Sequence, residues 1–487
     1  MGLENRVSHA CDDIYPIHAF DGVKANRAYV DWLMVFNDVL DAKKLNDALS
    51  RLLDIGDWKK LGGRLRFKEN GKLEIHHQSS SITGQPNVFF THDAFDVRIQ
   101  EHPVAGQIPK ATDAPSVQPI SDDFRPFIAR PNFPTFEELV RQKLPLISLH
   151  ISTFSDATIV ALVWPHVLMD ASGGQALLAA WSSVLAGREG EVPMVLGART
   201  DILRNVASTE GDGMPEEFEL ERRRLKGTSL LLFYLRLLWN KFWQPRRQRR
   251  ILFLPRSALT RMQTKVQREI AESTQGLDHT PFVSDGDIIT AWITQAAASS
   301  ESEKPRPVTI FSALNTRFRI PQLRNGVFIQ NMVLGTYTFL SARLAHGPIG
   351  PIALSHRQHV AEQAREKQML AFLRSAFQDI EATGSLRLFF GDSHALLMLF
   401  NNVTKIEVMK SANFGPAVLS QGAIDEARNN PLGTMITHYN ETLFIDPSFN
   451  TLNVFVIHGK DYGGNYWCMG NLLPRTWEKI EQGLSNV

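Results

Sequence analysis

At 487 residues, 43% of them hydrophobic, the chain is long enough for about two to three domains and too apolar to be disordered. Its 52 lysines and arginines nearly balance 51 aspartates and glutamates, so no overall field draws it to nucleic acid or to an anionic membrane, and any site for a phosphorylated co-substrate must be a local cluster. Two cysteines, Cys11 and Cys468, exclude a disulfide framework and a cysteine-rich metal site and fit a reducing compartment. The first residues carry no apolar signal-peptide core, and Arg6 stands where a myristoylation signal beginning at Gly2 needs Ser or Thr. A cytoplasmic chain is expected.

In chain order, Ile14 to Asp21 is followed by a mostly apolar run, Tyr29 to Phe36, which predicts a first strand. Leu45, Ala48, Leu49, Leu52 and Leu53 share one face of an amphipathic helix, with Trp58 to Gly63 as its exit. Asn70-Gly71 between alternating runs, from Arg64 to Ile75, is the strongest short hairpin signal in the chain. His76 and His77 follow on the same strand, where neighbours face opposite sides and do not easily share a metal. From about His102 to Pro134 the composition is rich in Pro, Asp and Ser without periodicity, predicting a long surface connection.

The most chemical stretch runs from Leu146 to Leu185. An alternating strand over 146–153 and an apolar strand over 158–164 form a hairpin that delivers Pro165-His166-Val-Leu-Met-Asp170-Ala-Ser-Gly-Gly174. A helix follows, with Ala176, Leu177, Ala180, Trp181, Val184 and Leu185 at helical spacing and Gly187 as its stop. This places one imidazole at the end of a buried strand, above a helix N-terminus, with Asp170 able to brace the turn. A lone His and Asp at this spacing is more often a satisfied core histidine than a base; the preceding Pro, the hairpin and the Gly-Gly helix start tip the reading toward chemistry.

Residues 196 to 228 are polar and charged and read as a crossover. Ser229 to Trp243 is apolar but broken by Arg236, and at 15 residues it falls short of the roughly 20 needed to span a bilayer. With Arg246, Arg247, Arg249 and Arg250 behind it, it reads first as a helix packed on the protein with a basic exit, and alternatively as one lying on a membrane surface. The second half opens with a strand at Ile251 and a helix near Ser257. A capped, buried helix runs from Ser284 to Trp292, and a strand at Val308 to Ala313 leads into Asn315-Thr-Arg317-Phe-Arg319-Ile-Pro321 and Val327-Phe-Ile-Gln-Asn331. His356 and His359, at i and i+3 on a helix without a third ligand, are read as solvated surface. Asn413-Phe414-Gly415-Pro416-Ala417 precedes a closing strand at Thr451 to His458, a hairpin to Trp467 and a last helix with Trp477. No Gly-x-Ser-x-Gly, Walker loop or dinucleotide fingerprint is present, and no Gly-rich nucleotide loop accompanies Asn-Phe-Gly, so hydrolase, nucleotide-driven and kinase readings fall away.

His166-x-x-x-Asp170 in this context resembles the signature of the BAHD acyltransferases and their fungal relatives, which are coenzyme A-dependent. Further landmarks of that family stand in the same order: Leu61-Gly62-Gly63-Arg64 after the first helix, the Ser284/Asp285-headed helix ending in Trp292, Asn315-x-Arg317-x-Arg319, and a degenerate turn keeping Phe328 and Asn331. Asn413-Phe414-Gly415 occupies the place of the family's Asp-Phe-Gly-Trp-Gly, of which only Phe414 and Gly415 survive. The family's Asp pairs with an Arg that matches Arg317, so the resemblance implies a weaker Asn413–Arg317 hydrogen bond and leaves the oxyanion donor open.

The resemblance further implies two chloramphenicol-acetyltransferase-like α/β lobes with mixed sheets flanked by helices, over 1–195 and 251–487, joined by a crossover at 196–250, with His166 in the channel between them. It implies His166 as general base, Asp170 holding the loop, and acyl-CoA, acetyl-CoA in the first instance, as co-substrate without a metal. The partner is a hydroxylated hydrophobic acceptor such as a terpenoid or polyketide, and the chain a monomer. Two rivals stay open. A condensation-type enzyme shares the fold, but shows a His where Pro165 stands and a Gly where Ala171 stands; a non-catalytic binding protein on the same scaffold is the other.

Overall fold

The computed structural model describes residues 13–78, 84–128, 133–208, 216–274, 281–301, 304–422, 428–440 and 452–486. Gly2, Arg6, Cys11 and Thr451 lie outside the described residues. Two mixed sheets organise the chain. The first has five strands in the order Met435–Tyr439, Tyr29–Phe36, Thr158–Pro165, Ile147–Thr153 and Val88–Ala94, parallel only at the last pair. Its central strand Thr158–Pro165 is buried throughout, which is what an apolar run without alternation demands. Helices Ala42–Leu52 and Ala171–Leu185 cover this sheet; Leu45, Leu49, Leu177 and Trp181 enter its core, and the Trp181 indole N–H donates to the Leu45 carbonyl at 2.9 Å.

The second sheet has seven strands in the order Val333–Leu340, Val308–Asn315, Leu396–Asn402, Asn453–Lys460, Tyr466–Leu472, Gln248–Leu254 and Ser116–Pro119. Helices Arg256–Ser273, Asp285–Glu301, Ile349–Gln363 and Pro474–Gly483 pack on it through Met262, Val266, Ile289, Trp292, Ile352 and Trp477. Asp285–Glu301 starts as the sequence suggests: Ser284 Oγ accepts the Asp287 N–H at 3.3 Å and Asp287 accepts the Ser284 N–H at 2.8 Å. The Asn70-Gly71 signal yields the hairpin Arg64–Phe67/Leu73–His77, with Gly71 at φ 75°. These mixed sheets flanked by helices are the α/β architecture that the resemblance implies.

Strand pairing crosses the boundaries at 195 and 251 in both directions. Ser116–Pro119 falls inside the stretch expected to be a surface connection, yet it pairs antiparallel with Gln248–Leu254 on the edge of the second sheet. Four residues show no periodicity, and an edge is where Pro119 is tolerated. In return Met435–Tyr439 pairs with Tyr29–Phe36 and Val418–Gln421 with Asp38–Leu40. Arg428 clamps buried Asp38 with two bonds of 2.9 and 2.8 Å, and the Gly433 N–H adds a third at 2.7 Å.

The two sheets meet at a pair of buried histidines. His438 of the first packs edge-on against His458 of the second, ring centroids 5.1 Å apart, and against Trp32 at 5.0 Å. Among the described residues none of the four ring nitrogens has a hydrogen-bond partner. Burial pulls the His458 pKa down to about 4 and that of His438 well below the usual value, the neighbouring His458 adding to the effect. Both rings are therefore neutral in the folded protein at pH 5 to 6, where an unfolded histidine binds a proton. Stability is full above an unfolded pKa near 6.5 and is lost as pH falls toward about 4, by about 3 kcal/mol for His458 alone. Urea midpoints measured from pH 7.5 to 5 should fall steadily, and His458→Phe should flatten the fall; equal slopes for both proteins would refute this.

Candidate active site

His166 follows directly on the last residue of the buried strand, with its N–H donating to the Ala28 carbonyl at 2.8 Å. Its own carbonyl accepts from Asn331 Nδ2 at 2.9 Å. The backbone is thus held on both sides while the imidazole is not: among the described residues no side chain or backbone group bonds to it, and Nδ1 is buried without a partner. A buried polar nitrogen left unpaired by the protein costs about 1–3 kcal/mol. Nδ1 itself is closed to solvent; the ring as a whole is only half-buried, and Nε2 is the nitrogen left for a substrate proton.

Asp170 has no such freedom. Oδ1 caps the helix Ala171–Leu185 by accepting the Gly173 N–H at 3.0 Å. Oδ2 accepts from Arg317 Nη1 at 2.8 Å and from the Met332 N–H at 3.0 Å. Arg317 also donates through Nη2 to the carbonyls of Phe328 and Gln330, at 2.8 and 2.6 Å. The carboxylate is a staple between the loop after His166 and the 315–332 region of the second half. The two glycines explain themselves here: a side chain at Gly173 would meet the Ile329 backbone at 2.8 Å, and one at Gly174 the Trp32 ring at 2.7 Å.

A cavity of about 980 Å³ opens beside these residues. It is lined from the first half by Trp32, His166 and Ser172, and from the second by Asn315, Phe400 and Tyr466. Ser172 Oγ accepts from Asn315 Nδ2 at 2.6 Å, closing the seam. Basic residues gather on one side: Arg319, Arg357 and Lys405 all line the cavity. Burial, and then the positive charge of Arg357 and Arg324, holds the Arg319 pKa down; burial, and then Arg319 and Arg324, does the same to Lys405. Cations crowded against one another in this way are relieved by an anion. Among the described residues no three His, Cys, Asp or Glu side chains are grouped as a metal site.

No protein-family model matches the chain. O-acetyltransferase PaAT-2 of Phomopsis amygdali is 33% identical over 489 residues, covering 98% of each chain. Acetyltransferase pyiB of Pyricularia grisea is 34% identical, over 97% of this chain and 93% of the relative. The chain belongs to this fungal acetyltransferase family. Its fold matches the solved structures of F. sporotrichioides TRI101 (TM-score 0.64, 14% identity, 97% of each chain) and vinorine synthase (TM-score 0.57, 11% identity, 98% of this chain and 93% of that one). As a member of an acetyltransferase family, the protein is an acyltransferase, and the absence of hydrolase and nucleotide motifs accords with that.

Against that family background, Asn413 and Arg317 do not meet. Asn413 is exposed; its Oδ1 accepts the Gly415 N–H at 3.1 Å, and its own N–H donates to Ser182 Oγ at 2.9 Å. Ser182 lies 12 residues beyond Asp170, hence about 18 Å up the helix from the Arg317 contact. Arg317 takes Asp170 in place of Asn413. Phe414 is fully buried between Phe36 and Trp181, centroids 5.3 and 4.6 Å away, so Asn413-Phe414-Gly415 plugs the core of the first sheet.

His356 also departs from expectation. It is buried and lines the cavity, with Nδ1 bonded to Thr338 Oγ1 at 2.9 Å, because Ile349, Ile352, Ala353 and His356 form the inward face of their helix. Burial pulls its pKa to about 4 against the opposing charge of Asp287. His359 is half-buried, its Nδ1 bonded to the Ser355 carbonyl at 2.8 Å.

Sequence reasoning assigns no role to Asp21 or Lys60. Asp21 Oδ1 accepts both the N–H and the side-chain amide of Asn331, at 2.7 and 2.8 Å, and that same amide holds the His166 carbonyl. Lys60 Nζ stands 4.0 Å from Asp21 Oδ2, both side chains fully buried. Burial pushes the Asp21 carboxyl up and the Lys60 ammonium down, and each opposes the shift of the other. An acidic residue closing an aromatic stretch, Phe20-Asp21, is the only local signal.

Proposed function

We propose that this protein transfers an acyl group, acetyl in the first instance, from coenzyme A to a hydroxyl of a hydrophobic natural product, with His166 as general base. The observation that carries this is the unpaired imidazole in a cavity lined from both sheets. His166 takes the proton of the acceptor hydroxyl as its oxygen attacks the thioester carbonyl. The tetrahedral intermediate collapses with cleavage of the C–S bond, and the imidazolium returns the proton to the departing thiolate, leaving an ester and free CoA. No covalent enzyme intermediate is needed, since the thioester is already activated. Asp170 holds the loop and Arg317 holds Asp170; neither moves a proton.

Several features support this reading. The volume is at the upper end of ligand pockets, about 300–1,000 Å³, and suits an acyl arm together with an acceptor. The crowded cations Arg319, Arg357 and Lys405 suit the phosphates of coenzyme A. The F. sporotrichioides TRI101 structure is a complex with Coenzyme A and T-2, and PaAT-2 is an O-acetyltransferase.

The test is thiol release from acetyl-CoA across a panel of hydroxylated terpenoids and polyketides, with product masses read in parallel. Acceptor-dependent thiol release with an acetyl ester as product is expected. Saturable acceptor binding without thiol release would overturn the reading in favour of a binding protein, and transfer only to amines in favour of a condensation-type enzyme.

A further inference from the structure

The helix Gly227–Trp243 turns its most apolar face to solvent. Phe233 is its one buried side chain, and it docks on Phe389 with ring centroids 4.7 Å apart. On the opposite side, at helical spacing, Leu231, Leu235, Leu238 and Phe242 are 58, 52, 52 and 73% exposed. Beside them Trp239 and Trp243 stack on each other at 5.2 Å, 62 and 71% exposed. A contiguous apolar stripe of this size on a folded protein marks a contact surface.

Charge identifies what the surface contacts. From Gly227 to Leu254, the helix and the strand that follows it, the sequence holds six lysines and arginines and not one aspartate or glutamate, in a chain whose net charge is only +1; of these Arg250 is paired with Glu481. Arg224 and Lys226, at the N-terminal end, are paired with Glu221 and Asp379. Lys241 and Arg246, beside the exposed tryptophans, are themselves exposed. A second copy of this face would set cations against cations, which disfavours self-pairing. An anionic lipid surface accepts both features at once: aromatic and leucine side chains in the interfacial layer, and lysine and arginine against the headgroups. Among the described residues no helix is long and apolar enough to cross a membrane. At 17 residues, about 25 Å, this one has the length to lie in the plane.

We propose that helix Gly227–Trp243 is a membrane-surface anchor that seats the protein on anionic phospholipid. The experiment is flotation of the full chain with phosphatidylcholine vesicles, with and without about a third phosphatidylserine. Tryptophan emission is recorded alongside. Binding and a blue shift are expected with phosphatidylserine, weakened when salt is raised to about 0.5 M. A variant combining Leu235→Gln, Leu238→Gln, Trp239→Gln and Phe242→Gln alters only exposed side chains, so its fold and its activity on a water-soluble acceptor should be unchanged. Its vesicle binding should be weaker by about tenfold or more. Absence of wild-type binding, or equal binding by the variant, overturns the proposal. So does a dimer seen by sedimentation velocity that the variant abolishes while vesicles bind neither protein.

Discussion

His166→Ala is expected to lower the turnover of acyl transfer about a hundred- to ten-thousand-fold while leaving the fold in place. Among the described residues the side chain has no hydrogen bond to lose, and the backbone bonds to Ala28 and Asn331 that fix the loop do not depend on it. The separation of effects is the point of the experiment. A satisfied core histidine would show the reverse, a lowered unfolding temperature with activity kept. His166→Gln, which retains polarity and bulk but not basicity, should be as inactive as the alanine variant. Steady-state kinetics beside thermal unfolding decide the matter, and turnover near the wild-type rate in either variant would end the assignment of His166 as the base.

Arg317→Met is expected to cost about 3–5 kcal/mol in urea unfolding. Removing the guanidinium strands the buried Asp170 carboxylate and leaves the Phe328 and Gln330 carbonyls without their donor. Asp170→Asn should be milder for the helix cap, because an amide oxygen still accepts the Gly173 N–H, but it then turns a donor toward both Arg317 and the Met332 N–H and gives up both of those bonds. Combining the two substitutions should cost clearly less than their sum, as expected for partners in one contact. Activity should fall in both through loss of loop order. A loss of under about 1 kcal/mol for Arg317→Met would show that the staple is not what joins the two halves here.

The parts of this fold readable from sequence are those that a periodicity or a cap encodes. The apolar run at 158–164, the Asn70-Gly71 turn and the Ser284 cap each state their structure within a few residues. The location of His166 at the end of a buried strand is legible for the same reason. What does not show is which distant loops meet. Asp170 and Arg317 are 147 positions apart, Asp21 and Asn331 are 310, and nothing local marks either pair. Resemblance pointed Arg317 at Asn413, and only the packing of Asn413 against the far end of a helix redirects it. His356 fails for a related reason, since one polar residue on a helix of weak amphipathicity does not reveal that its face turns inward.

The exchange of strands between the sheets bears on how the chain comes to be folded during synthesis. When residue 250 has left the ribosome, Tyr29–Phe36 still exposes one edge, and buried Asp38 still lacks the guanidinium of Arg428. An open edge of that kind is sticky. The first sheet therefore stays incomplete until Met435–Tyr439 emerges, about 400 residues after Tyr29–Phe36. Expressed as separate fragments cut near 250, the halves should be insoluble alone and recovered only when produced together.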